Sequence, residues 1–201
     1  MDRVLERLFE VTSVLPLAAF ALTHLAIYGR ALFGATEIGS RQAVSGWIMA
    51  GEALGVWLPL GFHLGYAPFV WRRRREQESL AEKDRGWLAL HRISGVVLAL
   101  FLVDHWRRFC LPILRGDRYP AESVTALARE LSTTFSGFPL LAGAYALGVL
   151  ALSFHLGYGL WRIAERHAAP DVKARLRAAC TAIAVLAGLL GTLTVVRLAA
   201  G

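Results

Sequence analysis

The chain has 201 residues, of which 56% are hydrophobic, and a formal net charge of +7. Its positive mean hydropathy excludes an ordinary soluble domain and points to the membrane class. The positive charge does not point to nucleic acid, because the arginines sit at the ends of apolar segments, where they mark topology and meet anionic lipid.

Five spans are predicted, at 8–33, 46–71, 87–114, 138–162 and 175–199. Each is long enough for a hydrocarbon core of ~30 Å, which takes ~20 residues. Before the first, Arg3 and Arg7 precede Val14–Leu22, and Ala19-Phe20-Ala21 resembles a signal-peptide cleavage site. Asp2, Glu6 and Glu10 dilute that basic region and the apolar run continues to Leu32, so the segment is expected to remain as a span. The polar stretch Gly34–Gln42 separates spans one and two, and the charge run Arg72–Arg85 separates two and three. Arg115–Gly137 is the longest polar stretch, with a short surface helix expected over Ala121–Leu131. His167–Lys173 contains Pro170-Asp171, a helix-start signal for the last span. The arginines and lysines favour an inner N-terminus and an outer C-terminus. Arg3, Arg7, Arg72–Arg75, Lys83, Arg85, Arg92, Arg162, Arg166, Lys173, Arg175 and Arg177 then fall inside. The fold class is all-α membrane protein in a single transmembrane domain, with helices 1–4 as an up-down four-helix bundle and the fifth at its periphery.

Phe62-His63-Leu64-Gly65-Tyr66 recurs as Phe154-His155-Leu156-Gly157-Tyr158, followed by Trp71-Arg72 and Trp161-Arg162 respectively. The repetition implies a duplicated helical hairpin, unless both copies are helix ends under similar interfacial constraints.

Each of the first four spans carries one deep histidine: His24, His63, His105 and His155. An imidazole in lipid is costly and calls for a reason. At ~1.5 Å rise per residue, His24 and His105 fall in one layer and His63 and His155 in another, roughly 10–15 Å apart. Each layer joins helices two apart in sequence, which are diagonal neighbours in such a bundle. Two imidazoles facing each other across a bundle are the axial set of a haem. Neutral imidazole, the ligand form, is also the form a low-dielectric interior favours. Gly61, Gly65, Gly95, Gly157 and Gly159 would let a flat macrocycle approach the backbone. Interhelical hydrogen bonding explains a single membrane histidine, but four in two layers less well. Zinc fits poorly, since each layer supplies only two ligands. Cys110 and Cys180 are isolated, with no C-x-x-C-H site, so a haem would be held without covalent attachment. A proton relay remains the competitor, since Glu10, Glu52 and Asp104 also lie within spans.

Leu90-His91-Arg92-Ile93-Ser94-Gly95-Val96 resembles the His-Arg-x-Ser-Gly-Val segment of succinate dehydrogenase cytochrome b subunits. Phe154-His155-Leu156-Gly157-Tyr158-Gly159-Leu160-Trp161 is similar to the fourth-helix haem-ligand segment of the single-chain, five-helix form, which anchors succinate:menaquinone and fumarate reductases. Glu52, then Leu58-Pro59-Leu60 and His63, fits its second helix, while His24-Leu25 and His105-Trp106 fit the first and third. The resemblance implies two haems b, with His63 and His155 holding the one proximal to the catalytic subunits and His24 and His105 the distal one. It implies an iron–sulfur subunit and a flavoprotein on the cytoplasmic side of a bacterial cytoplasmic membrane. The dicarboxylate would bind to the flavoprotein, and this chain would pass electrons to or from a quinone, menaquinone favoured over ubiquinone. Position 91 varies among such relatives, some having glutamine, whereas the single-haem branch has histidine there. Here His91, Arg92 and Ser94 are read as a propionate or quinone head-group cluster rather than a fifth ligand.

Propionates need cations or hydroxyls. For the inner haem the candidates are Arg92, Arg162 and Arg166, supported by His91, Ser94 and Trp87; for the outer, Arg30, Arg107 and Arg108. A distal quinone site would use Glu52, Asp104 and Tyr28 for protons and Trp106 as a wall, unless Asp104 merely pairs with Arg107 or Arg108. Glu10 is read as snorkelling or favouring the helix dipole, and His167 as exposed. Two other functions stay open: a haem anchor for a hydrogenase or formate dehydrogenase, and a proton channel or transporter.

Overall fold

Five helices in the computed structural model are long and apolar enough to cross a membrane. The structure describes residues 3–33, 51–75, 82–115 and 122–200. Helix α1 (Arg3–Tyr28) runs into a 3-10 turn at Gly29–Phe33. A π-helical turn at Ala53–Trp57 leads into α2 (Leu58–Arg75). Then follow α3 (Glu82–Leu114), the short α4 (Glu122–Ser132), α5 (Leu140–His167) and α6 (Lys173–Ala199). The first helix starts earlier and ends earlier than its expected 8–33, tightening to 3-10 geometry where Gly29 weakens the α-helix. Positions 46–50 of the second expected span, the linker Gly34–Gln42 and part of the Arg72–Arg85 run lie outside the described residues.

Local chemistry explains most boundaries. Pro59 has no N–H to donate, and the π turn just before it widens the hydrogen-bonding register there. That register sets Trp57 beside Glu52, five residues back, and its Nε1–H donates to Glu52 Oε1 at 3.1 Å. Between α4 and α5 the chain reverses through Ser136 and Gly137, both at positive φ. Phe135 and Phe138 exchange backbone hydrogen bonds of 2.9 and 3.0 Å across the turn. In α1, Thr12, Ser13 and Thr23 donate to carbonyls of the preceding turn, which satisfies their hydroxyls without water.

Four helices share one apolar core. Leu17 and Phe20 of α1, Leu60 of α2, Leu98 and Leu102 of α3 and Ala151 of α5 form a continuous buried cluster. A second joins Leu131, Ala142, Tyr145 and Val195, with α4 wedged against α5 and α6. The fifth span, expected at the periphery, is firmly seated. Its small residues meet α5 closely: Gly157 on Ala184, Gly188 on Leu150 and Ser153, Gly191 on Val149. Backbone approach through small residues is how membrane helices gain packing where lipid removes the hydrophobic drive.

Candidate functional site: two histidine pairs in the helix bundle

Helical periodicity lines one face of α1 with Phe9, Ser13, Leu17, Phe20 and His24, spaced by four, four, three and four residues. Each side chain on that face meets the bundle. Phe9 stacks on His63 at 4.6 Å between ring centroids, and Phe20 lies against His24 at 3.8 Å. Across the bundle, His24 faces His105 with centroids 5.7 Å apart and rings inclined at 65°. His63 faces His155 at 6.5 Å and 79°. The buried Leu17, Phe20, Leu60, Leu98, Leu102 and Ala151 lie between the two pairs along the helices. On α3, Gly95 touches the His155 ring, and His105 follows ten residues later, a rise of about 15 Å.

Each pair borders a cavity. One of about 310 Å³ is walled by Phe9, Ser13, Leu17, Leu60, His63, His91, Arg92, Gly95, His155, Tyr158, Arg162 and Arg166, among others. The other, about 170 Å³, holds His24, Tyr28, Phe101, His105, Phe109 and Tyr145 and is closed by Ile183, Gly191, Thr194 and Val195 of α6.

The donor set suits a bis-imidazole metal group. With metal–nitrogen bonds of about 2 Å, two axial rings stand with centroids roughly 6 Å apart, close to both observed separations. Hydrogen bonding fixes the proton on one ring of each pair. His24 Nδ1–H donates to the Phe20 carbonyl at 2.9 Å, and His155 Nδ1–H donates to the His91 carbonyl at 3.0 Å. A carbonyl only accepts, so Nδ1 carries the hydrogen and Nε2 keeps the lone pair a metal needs. On the opposing rings, Nδ1 of His63 and of His105 is buried with no hydrogen-bond partner among the described residues. Buried polar atoms are rarely left so. No group of three or more His, Cys, Asp or Glu among the described residues is arranged to hold a bare metal ion.

The polar candidates separate into distinct settings. Arg92 and Arg162 reach the larger cavity; the Arg92 guanidinium also lies over the Trp71 ring at 4.9 Å, and Arg162 donates to Glu165 at 3.4 Å. Arg166 reaches it too, but is ion-paired with Glu10 of α1, whose side chain is only 17% exposed. Glu10 therefore joins α1 to the end of α5, a role beyond snorkelling, with exposed His167 at 3.6 Å from its other oxygen. Trp87 does not line that cavity. It is half exposed, stacks on Phe154 and borders a separate groove between α5 and α6. Ser94 is buried and turned to His91 and His155.

On the other side, Asp104 accepts from Arg107 at 2.9 Å and from Arg108 at 2.7 Å, and Arg108 also donates to Glu130 at 2.5 Å. All three side chains are thus engaged with one another, which is the plain pairing the i+3 and i+4 spacing allows. The Arg30 side chain lies outside the described residues. Tyr28 packs against His24 at 5.6 Å, and Glu52 lies within electrostatic reach of the same ring. Trp106 is half-buried and does not line the cavity. Of the expected glycines, Gly95 and Gly159 approach histidine rings, His155 and His91 respectively. Gly61 and Gly65 face open space, and Gly157 makes the α5–α6 contact while also bordering the smaller cavity. The aromatic partners Phe9 and Phe20 were not singled out from sequence; their register with His24 on one face of α1 is the signal that marks them.

Compared with known proteins, the chain is homologous to the succinate dehydrogenase cytochrome b558 subunit of Bacillus subtilis (strain 168), at 25% identity over 163 residues, 79% of this chain and 76% of that protein. No family model matches the chain, and no solved structure does.

Proposed function

We propose that this chain is the membrane cytochrome b subunit of a succinate dehydrogenase, holding one haem b between His63 and His155 and a second between His24 and His105. The homology supports the first part. The observation that carries the second is the facing of the four imidazoles in two pairs, at 6.5 and 5.7 Å. Haem supplies reversible one-electron chemistry when bound, and the protein supplies ligands, orientation and electrostatics.

The residues divide the work. Phe20 and His91 carbonyls hold one imidazole of each pair with Nε2 free to ligate. Phe9 stacks on His63, and Phe20 packs against His24 and edge-on to His105. Arg92 and Arg162, at the wall of the larger cavity, are the cations for its propionates. Glu52, held by Trp57 near His24, is the proton-handling group for a quinone on that side, with Tyr28. Asp104, engaged by two arginines, is not assigned that role. Asp104 and Glu10 are both ion-paired with arginines, which favours the haem reading over a proton channel. The distribution of arginines favours the larger cavity lying toward the cytoplasm, where an iron–sulfur subunit and a flavoprotein would dock. The dicarboxylate would bind to the flavoprotein, and menaquinone is the favoured quinone.

Purified complex should contain two haems per copy of this chain by pyridine hemochrome, reducible by succinate. His63→Ala or His155→Ala should each remove one haem and leave the other. Absence of haem from the purified complex, or loss of both or neither in those variants, overturns the assignment.

A further inference from the structure

Four features of α3 converge on a single ring of α5. The His155 imidazole lies flat on His91, with centroids 4.0 Å apart and planes 11° from parallel. Its Nδ1–H donates to the His91 carbonyl at 3.0 Å and lies 3.4 Å from Ser94 Oγ. Ser94 itself donates to that carbonyl at 2.8 Å, so the hydroxyl is held with a lone pair toward the ring. A Cβ on Gly95 would stand 2.8 Å from His155 Cε1 and 3.2 Å from Nδ1. Real Cβ atoms do not approach that closely, so the ring fits only because residue 95 has no side chain.

We propose that His91, Ser94 and Gly95 are positioning residues that form a seat for His155 and set the orientation and electronic character of this ligand. The inference rests on the haem reading above. The His91 ring is not assigned as an axial ligand; its flat face supports one side of the imidazole while its own backbone carbonyl fixes the tautomer. The spacing is what a helix requires. Residues 91, 94 and 95 share one face of α3, so a single turn offers stacking surface, hydrogen-bond acceptor and clearance together. The seat on α3 serves His155. Its counterpart His63 stacks on Phe9 of α1, whose backbone also lies against it, while its Nδ1 is buried without a hydrogen-bond partner among the described residues. The two ligands of the same haem would therefore be held by different helices, His155 through an Nδ1–H contact that strengthens the donor at Nε2.

The test uses the intact membrane complex and reads haem content, the low-temperature absorption band, the electron paramagnetic resonance g-values and the midpoint potential of each haem. Gly95→Ala should weaken retention of the His63–His155 haem about 10- to 100-fold, the usual effect of losing a group that orients a metal ligand. The His24–His105 haem in the same preparation should be unchanged, which reports that the bundle has folded. Should Gly95→Ala fail to assemble, His91 decides. His91→Ala should shift the g-values and potential of the inner haem, and His91→Phe, which keeps a flat ring, should return them toward the wild-type values. Wild-type spectra and potential in both His91 variants, or normal inner haem in Gly95→Ala, overturn the seat. Failure of the underlying reading looks different: His155→Ala would then retain two haems.

Discussion

Gly65 and Gly157 occupy the same place in the repeated Phe-His-Leu-Gly-Tyr segments, yet the structure gives them opposite surroundings. A Cβ on Gly157 would lie 2.5 Å from Ala184 Cβ and 3.2 Å from the Cys180 carbonyl oxygen. Both neighbours are backbone or directly attached to it, so neither can swing away, and relief requires α5 and α6 to separate by about 1 Å. Overpacking of this kind costs about 1–3 kcal/mol, against a helix-propensity gain of about 0.5–1 kcal/mol for replacing glycine. Gly157→Ala should therefore lose about 0–2.5 kcal/mol, and Gly157→Leu considerably more. A Cβ on Gly65 meets nothing within 4 Å, so Gly65→Ala should be neutral or gain up to about 1 kcal/mol. The assay is thermal or denaturant unfolding of the detergent-solubilised complex, with haem absorbance recorded alongside a global probe. Equal destabilisation by the two substitutions would refute the α5–α6 seam as the reason for Gly157, and would favour a shared local role for the repeat. Loss of a haem in Gly157→Ala, with stability unchanged, would make the smaller cavity, which Gly157 also borders, the reason for that glycine.

Three further outcomes follow from the polar geometry. Asp104→Asn should cost less than about 1 kcal/mol, as a partly exposed pair does, and leave quinone turnover intact, whereas Glu52→Gln should slow it at least tenfold; the reverse ranking in a succinate:quinone assay would move the proton-handling role to Asp104. Trp57→Phe, which removes the donor to Glu52 Oε1, should lower quinone turnover in the same direction as Glu52→Gln but by less, and no change would detach Glu52 from the π turn. Arg166→Gln should leave both haems in place, because Glu10 already holds this arginine, while Arg92→Gln should shift the midpoint potential of the His63–His155 haem; a potential shift in Arg166→Gln equal to that in Arg92→Gln would make Arg166 an equal partner in the pocket.

What could be read from the sequence, and what could not, follows the range of the forces involved. The spans were legible because hydrocarbon imposes a length and a composition on any single helix, independent of its neighbours. The meeting of His24 with His105 and of His63 with His155 was legible because a fixed rise per residue and alternating direction determine height without any knowledge of packing. Azimuth is different. Whether Gly157 faces a ring or another helix depends on where α6 lies, and nothing local to Phe154–Tyr158 encodes that. The contrast with Gly65 makes the point: five identical residues, one copy covered by α6 and the other facing open space. Ion pairs escaped for a related reason. Asp104 with Arg107 and Arg108 is a within-helix contact and was readable as spacing, but Glu10 with Arg166 joins residues 156 apart in sequence. The His91-Arg92-Ile93-Ser94-Gly95 segment lies between these cases. Its spacing marks one helix face, and sequence alone assigned that face to a propionate or quinone. Only the position of α5 turns the face toward His155, so the same residues also support that ring, and the glycine, which looked like room for a macrocycle, is the room that the His155 ring occupies.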